Sequence, residues 1–526
     1  MSASTTTWNI TKPEKRGHGG VIAAQNVTAA QAGADVLAEG GNAMDAAVTT
    51  AFALSVLEPW LSGVGGGGFL LHKAAATGDI EALDFSLVAP AALDPARYPL
   101  AAGDDGDWFA WPAVRDDRNL IGFESICVPG AVAGLAEGLR RYGSISLERA
   151  LSPAIAHAQE GLAVDWFTSL ALAIDAEGLA RFPASAALFL EDGRAPRANS
   201  APGAELPRIQ MPRKAAMLRR LAEHGAQEFY QGRTAEQLVA DLREGGSAIS
   251  MDDMAAYAPV WTAPARGAYR GHDIHASPGL SGGPSLLHAM DELSGTLRPG
   301  AAPDAESALA YARAIRNAYA YRLENMGHAA PAADPGCTSH LSVVDAAGNV
   351  VSLTNTLLSR FGSKVVAPSA GILMNNGVMW FDPRPGKPNS IVPGARPLTN
   401  MCPLIVEMAG GGTLALGAAG GRQIFPALVQ IASYILDYDM TLEEALHTPR
   451  IDASMPAIVV NQTAPPGWAA RISDTFRVRM DEDSLYPVNF AVPSLAARTG
   501  GGETVGAAHP VSPTAGAVIA EEGCPK

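Results

Sequence analysis

The segment Gly327-His328-Ala329-Ala330-Pro331-Ala332-Ala333-Asp334-Pro335-Gly336-Cys337-Thr338-Ser339-His340-Leu341-Ser342-Val343-Val344-Asp345 divides the chain into two differently patterned parts. Its first ten residues, rich in proline, glycine and alanine, cannot hold regular structure, and from Leu341 the residues read as a strand. Val350 to Thr356 answers as a second strand across a turn at Ala346-Ala347-Gly348-Asn349, and Leu404 to Glu407 with Thr413 to Gly417 repeats the hairpin around Gly410-Gly411-Gly412. A sheet-rich part therefore begins at this junction. Thr338 stands on the junction itself, where a lone threonine is ordinarily no more than a turn or strand-start residue.

Upstream the chain is helical. Val27 to Leu37 carries apolar residues at helical spacing and ends at Gly40-Gly41, and Ala43 to Leu57 follows as a mostly apolar, buried helix. Ser146 caps a helix, Pro153 suits the first turn of a following one, and Gly161 ends it. Residues 195–214 read as a long surface loop, and Ala305 to Asn325 as a helix. Downstream, Gly420-Gly421 opens a helix with Ile424, Leu428, Ile431 and Ile435 on one face, and Thr441 with Glu444 forms a capping box. Helices, then paired strands, then helices again predict an α/β protein with sheets between helical layers.

Bulk properties exclude several classes. The 526 residues are 48% hydrophobic and 17% charged, which suits a well-buried globular protein, and the net charge of −15 with no long Lys/Arg run argues against nucleic acid or membrane as partners. No stretch of about 18 apolar residues is long enough to span a bilayer, and the start lacks a signal-peptide core, so a cytoplasmic location is expected. Cys127, Cys337, Cys402 and Cys524 form no C-x-x-C pair and the histidines no H-E-x-x-H spacing. Free thiols, no metal and no cofactor are expected.

The run from Thr338 to Asp345 resembles the processing site of the γ-glutamyltransferases, whose Thr-Thr-His-x-Ser-Val-Val-Asp stretch begins with the residue that becomes a new N-terminus. The resemblance covers most of the chain, through Gly40 to Ala47, Gly65-Gly66-Gly67-Gly68-Phe69, Val128-Pro129-Gly130, Arg396-Pro397-Leu398 and Gly420-Gly421, in that order. It implies a four-layer αββα N-terminal-nucleophile hydrolase, cut between Cys337 and Thr338 into fragments 1–337 and 338–526 that stay together as a heterodimer, with further dimerisation left open.

The implied chemistry has a physical basis. A threonine hydroxyl is a poor nucleophile at neutral pH, but the free α-amine of an N-terminal Thr338, with a reference pKa of about 8, can take its proton and return it. The resemblance also makes Thr356 a hydrogen-bond partner of the nucleophile, with a strand threonine favoured by β-propensity as the plainer alternative. Gly420 and Gly421, preceding a helix, have backbone N–H groups suited to an oxyanion, and the family uses this pair so; a tight turn is the plainer alternative. His340 reads as structural.

The chain departs from the family at the groups that hold an α-amino acid. Ser86 stands for an arginine, Leu358 for an asparagine, Met379-Trp380 for a pair of aspartates and Thr399-Asn400 for a pair of serines. Trp380, Thr399 and Asn400 are thus the substrate-contact candidates at family positions, and Arg360 is a new one, with Lys364 near it. Each of these two cations reads either as an exposed charge or as a carboxylate anchor. The segment from Leu357 to Lys364, with Asn375 to Gly386, resembles the branch that includes oxamate amidohydrolase; related branches include cephalosporin acylase-like proteins. The expected activity is hydrolysis of a small amide such as oxamate, with glutathione hydrolysis and transpeptidation as the alternative and a binding protein without turnover as a third reading.

Overall fold

The computed structural model describes residues 8–104, 111–198, 201–328, 339–484, 486 and 488–521. Cys337 and Thr338, and with them the predicted cleavage site, lie outside the described residues, as does Cys524.

Two seven-stranded sheets, antiparallel throughout, form the centre. One runs in the order Gly516–Ile519, Gly20–Ala24, Ser339–Asp345, Val350–Thr356, Gly67–Lys73, Ile80–Phe85, Val260–Thr262. The other runs Lys15–Gly17, Thr504–Ala508, Val492–Thr499, Gly412–Ala419, Leu404–Glu407, His272–Ala276, Ala265–Tyr269. Both sheets therefore combine strands from before and after position 338, and neither part has a complete sheet of its own.

Side-chain alternation along the strands builds the layers. Leu341 and Val343 point to a core shared with the helices Val27–Ala38 and Ala43–Leu57, whereas Val344 packs with Val21, Leu71, Ile405, Ala415 and Ala496 between the two sheets. On the far side, Leu404, Val406, Leu414 and Leu416 pack against the helices Gly283–Thr296, Ala305–Asn325 and Ile424–Tyr438. Helix, sheet, sheet and helix make the four layers that the sequence predicts. The space between the sheets is partly polar: the Ser342 hydroxyl donates to Ser494 O at 3.1 Å and the Ser352 hydroxyl to Leu416 O at 3.2 Å.

Local signals account for most helix boundaries. Asn26 accepts hydrogen bonds from the Thr28 and Ala29 N–H groups, and Asn42 forms a capping box with Asp45 at the start of the helix Ala43–Leu57. Thr441 and Glu444 form the predicted box. Two expectations need correction. Ser146 and Gly161 bound one helix, Leu147–Glu160, and Pro153 lies inside it rather than opening a second. A proline there leaves the carbonyl four residues back without its helical donor, and the Ser152 hydroxyl supplies one, donating to Arg149 O at 2.9 Å. The predicted loop 195–214 is also shorter. Arg208–Ile209 pairs with Leu162–Ala163, and a helix starts at Pro212, whose fixed φ suits a first turn.

Candidate functional site

The strand Ser339–Asp345 starts immediately after position 338, and Ser339 pairs with Asn355, the neighbour of Thr356. Thr356 is fully buried, and its hydroxyl oxygen accepts from the Leu358 N–H at 2.8 Å. His340 is locked between the sheets. Its ring nitrogens meet Thr354 Oγ1 and Ser342 Oγ, both at 2.9 Å, Gly417 packs against its face, and burial pushes its pKa down to about 3. A ring so enclosed and neutral holds two strands together, which is the structural part expected of it.

After Thr356 the backbone leaves the strand through a strained loop. Leu358, Phe361 and Lys364 take φ of 86°, 58° and 65°, a region that side-chain-bearing residues rarely adopt, and Gly362 takes 51°. The loop is held by its surroundings. Leu357 N donates to Leu61 O at 3.0 Å and Phe361 N to Trp60 O at 2.8 Å. Asn376 accepts from Ser359 N at 3.1 Å and donates to Ser359 Oγ at 2.8 Å, while Asn375 donates to Gly65 O and Cys127 O, both at 2.8 Å. The glycine run that contains Gly65 is thus a packing device: a side chain at Gly66 would meet Thr356 O and one at Gly68 would meet Thr354 O.

This loop forms part of the wall of a cavity of about 250 Å3 that Gly420 also lines. Much of the remaining wall is apolar, with Trp60, Leu61, Phe167, Leu170, Ile174 and Val488. Arg360 and Lys364 both line it, and both pair with Asp175 from the helix Trp166–Ala180, Arg360 through Nε and Lys364 through Nζ at 2.6 Å. Together the three side chains carry one net positive charge. The Arg360 guanidinium also lies 5.3 Å from the centre of the Tyr486 ring. Lys364, which the sequence offered as an exposed charge or an anchor, is only 8% exposed and is ordered by a partner 189 residues away.

Gly420 and Gly421 stand at the end of the strand Gly412–Ala419, with φ of 137° and 58°, and Gly421 begins a short 3-10 turn before the helix Ile424–Tyr438. Gly420 lines the cavity with Ala419. The other substrate-contact candidates lie apart from it. Trp380 is fully buried in an apolar cluster with Phe69, Leu87, Met379 and Phe381, and Thr399 and Asn400 are buried beside Arg322, which donates to Asn400 Oδ1 at 3.1 Å. Of the four substrate-contact candidates read from the sequence, the structure brings Arg360 alone to this cavity. Ser86 is buried as well, accepting from Arg396 on its carbonyl at 2.8 Å and on its hydroxyl at 3.1 Å.

Several cavity residues carried no sequence signal: Asp175, Gln25, Glu58, Asp483 and His509. Burial pushes the Glu58 carboxyl up to about 8, and Asp165 adds to the effect, while Thr514 and Asn26 pull it back in part. Burial alone would raise the Asp483 carboxyl too, but His509 and Arg450 overrule it and hold it below its usual range. The raised Glu58 pKa has a consequence for stability. In the unfolded chain this carboxyl ionises near 4.5 and in the folded protein near 8, so its contribution is fully present below pH 4.5 and is lost as pH rises to about 8. Glu58→Gln is expected to match the wild type in melting temperature at pH 4.5 and exceed it at pH 8.5; calorimetry at both values checks this, and equal melting temperatures at pH 8.5 would show that the carboxyl is not held neutral.

Among the described residues no group of three or more His, Cys, Asp or Glu side chains is placed to hold a metal ion, and no helix is long and apolar enough to cross a membrane. Cys127 and Cys402 are buried free thiols.

Comparison with known proteins gives a consistent result. The sequence profile described as gamma-glutamyltranspeptidase matches residues 29–332 and 303–484. The acylase ACY 1 proenzyme of Pseudomonas sp. (strain SE83) is 32% identical over 476 residues, 84% of this chain and 83% of that protein. The glutathione hydrolase proenzyme of Escherichia coli (strain K12) is 31% identical over 482 residues, 82% of this chain and 80% of its own length. Among solved structures, the cephalosporin acylase from Bacillus halodurans superimposes with a TM-score of 0.84 at 25% identity, over 98% of this chain and 99% of that one.

Proposed function

The chain belongs to the gamma-glutamyltranspeptidase family, and from that premise we propose that it is a self-processing N-terminal-threonine amidohydrolase acting on monoamides of dicarboxylic acids, of which oxamate is the smallest. The observation that carries this reading is the convergence of Arg360 and Lys364 on Asp175 in a largely apolar cavity that reaches Gly420. A cationic anchor suits the free carboxylate of such a substrate, apolar walls suit its carbon chain, and a volume of about 250 Å3 leaves room for chains longer than that of oxamate. The proenzyme names of the relatives support processing into two fragments, which the proposal places at 1–337 and 338–526.

In this mechanism the Thr338 hydroxyl first attacks the Cys337 carbonyl carbon and displaces the Thr338 nitrogen, and water opens the resulting ester. The freed α-amine then takes the Thr338 hydroxyl proton as that oxygen attacks the substrate amide. Gly420 and Gly421 N–H groups stabilise the tetrahedral oxyanion, the amine of the substrate leaves with the proton, and water releases the acid from the Thr338 ester. Thr356, at the end of the paired strand, orients the nucleophile. Glutathione hydrolysis is the weaker reading, because Ser86 stands where the family has an arginine, and the neighbouring Arg396 guanidinium is already engaged by Asp84 and Ser86.

Ammonia release from oxamate, malonamate, succinamate and glutaramate, beside γ-glutamyl-p-nitroanilide, tests the proposal. Arg360→Leu is expected to lower kcat/KM for the acidic amides by about 10- to 100-fold, the worth of a charge-assisted hydrogen bond, and Arg360→Lys by less, because lysine keeps the charge although it cannot make the paired contact. Both variants should still process themselves, because that reaction uses no outside substrate. Unchanged kinetics in Arg360→Leu, or glutathione turned over better than any acidic amide, would reject the reading.

A further inference from the structure

Three more side chains in the wall of the Arg360 cavity bury a polar atom that has no hydrogen-bond partner among the described residues: Gln25 Oε1, Glu58 Oε2 and His509 Nδ1. None of the three residues is more than 2% exposed. Leaving a buried polar atom unpaired is costly, and three such atoms belong to residues that line this one cavity.

The occupied side of each residue sets the role of its free atom. Gln25 Nε2 donates to Val492 O at 3.2 Å, which leaves the carbonyl oxygen as an unpaired acceptor. His509 Nε2 meets Asp483 Oδ1 at 3.2 Å, and burial holds the ring neutral, so its one proton sits on Nε2 toward that carboxylate and Nδ1 is a bare acceptor. Glu58 Oε1 accepts from the Thr514 hydroxyl at 2.8 Å, the Asn26 side chain also interacts with the carboxyl, and no cation pairs with it among the described residues. Deep burial beside Asp165 keeps its proton on at neutral pH, and that proton falls to Oε2, a donor. The trio therefore offers two acceptors and one donor, all uncharged. Its backbone neighbours place it near Gly420: Val492 pairs with Ala419, and His509 N donates to Pro493 O at 3.0 Å.

A carboxylate entering this corner would face two acceptors, and an ammonium would find no counter-charge within the trio. A group with both N–H and C=O satisfies all three atoms. We propose that Gln25, Glu58 and His509 form a subsite for an uncharged amide or urea group of the ligand, separate from the carboxylate anchor at Arg360 and Lys364. The inference rests on the reading of this cavity as the substrate pocket.

The test uses a matched pair of ligands that resist hydrolysis, 3-ureidopropionate and glutarate, which have the same chain length and differ in ending as a urea or a second carboxylate. Isothermal titration of the mature wild-type protein should show 3-ureidopropionate binding at least tenfold more tightly. Glu58→Gln, which keeps an uncharged donor, should retain the preference, whereas His509→Phe and Gln25→Leu should each lose most of it, with melting curves confirming that each variant is folded. Equal or tighter binding of glutarate, no binding of either ligand, or a preference that survives in His509→Phe and Gln25→Leu alike would overturn the subsite. The amidase reading is judged separately: turnover of acidic amides by a protein that ignores the urea would remove the subsite and leave the amidase in place.

Discussion

Thr338→Ala is expected to leave the protein as one uncut chain and to lower amide hydrolysis by about 10⁶-fold, the scale seen when a catalytic nucleophile is removed. One hydroxyl carries both reactions in the proposed mechanism, so one substitution should abolish both. Thr338→Ser, which keeps a hydroxyl on the same atom, should restore cutting. Denaturing electrophoresis of the two variants decides the matter: two fragments from Thr338→Ala would remove the nucleophile assignment, and an uncut Thr338→Ser would show that more than the hydroxyl is needed.

Gly420→Ala is the second large effect. At a φ of 137° only glycine is at ease, and a Cβ there would come within 2.7 Å of Ala491 Cα and 2.9 Å of Ala491 Cβ. The obstacle is largely backbone just before the neighbouring strand Val492–Thr499, so Gly420 must shift, and the N–H groups of the 3-10 turn shift with it. Losing one oxyanion donor typically costs about 10²- to 10³-fold in rate. A kcat decline of that size in processed, folded Gly420→Ala is expected. A kcat within threefold of wild type would return the glycine pair to the status of a tight turn.

The fold was legible where signals are local. Ser146 and Thr441 announce helices because the cap is made by neighbours in sequence, and the hairpins announce themselves through alternation and glycine turns. Pro153 misled because its tolerance depends on a hydroxyl bond from Ser152 that spacing rules do not contain. The cavity was less legible. Arg360 could be singled out by its distance from Thr356 along the chain, but its partner Asp175 lies on a remote helix, and Lys364 is drawn inward by that same carboxylate. Trp380 suggested a substrate contact because it sits in a motif; in the fold it is an apolar core residue. Glu58 and His509 had no signal at all, since their chemistry arises from what long-range packing removes: solvent, and a partner for one atom each.

The central claim is that the chain cuts itself before Thr338, and the N-terminal sequence of the smaller fragment tests it most directly. Purified wild-type protein, allowed to process without added protease, is predicted to yield a small fragment beginning Thr338-Ser339-His340-Leu341. An N-terminus at any other residue, or a chain that stays intact while hydrolysing amides, would contradict it.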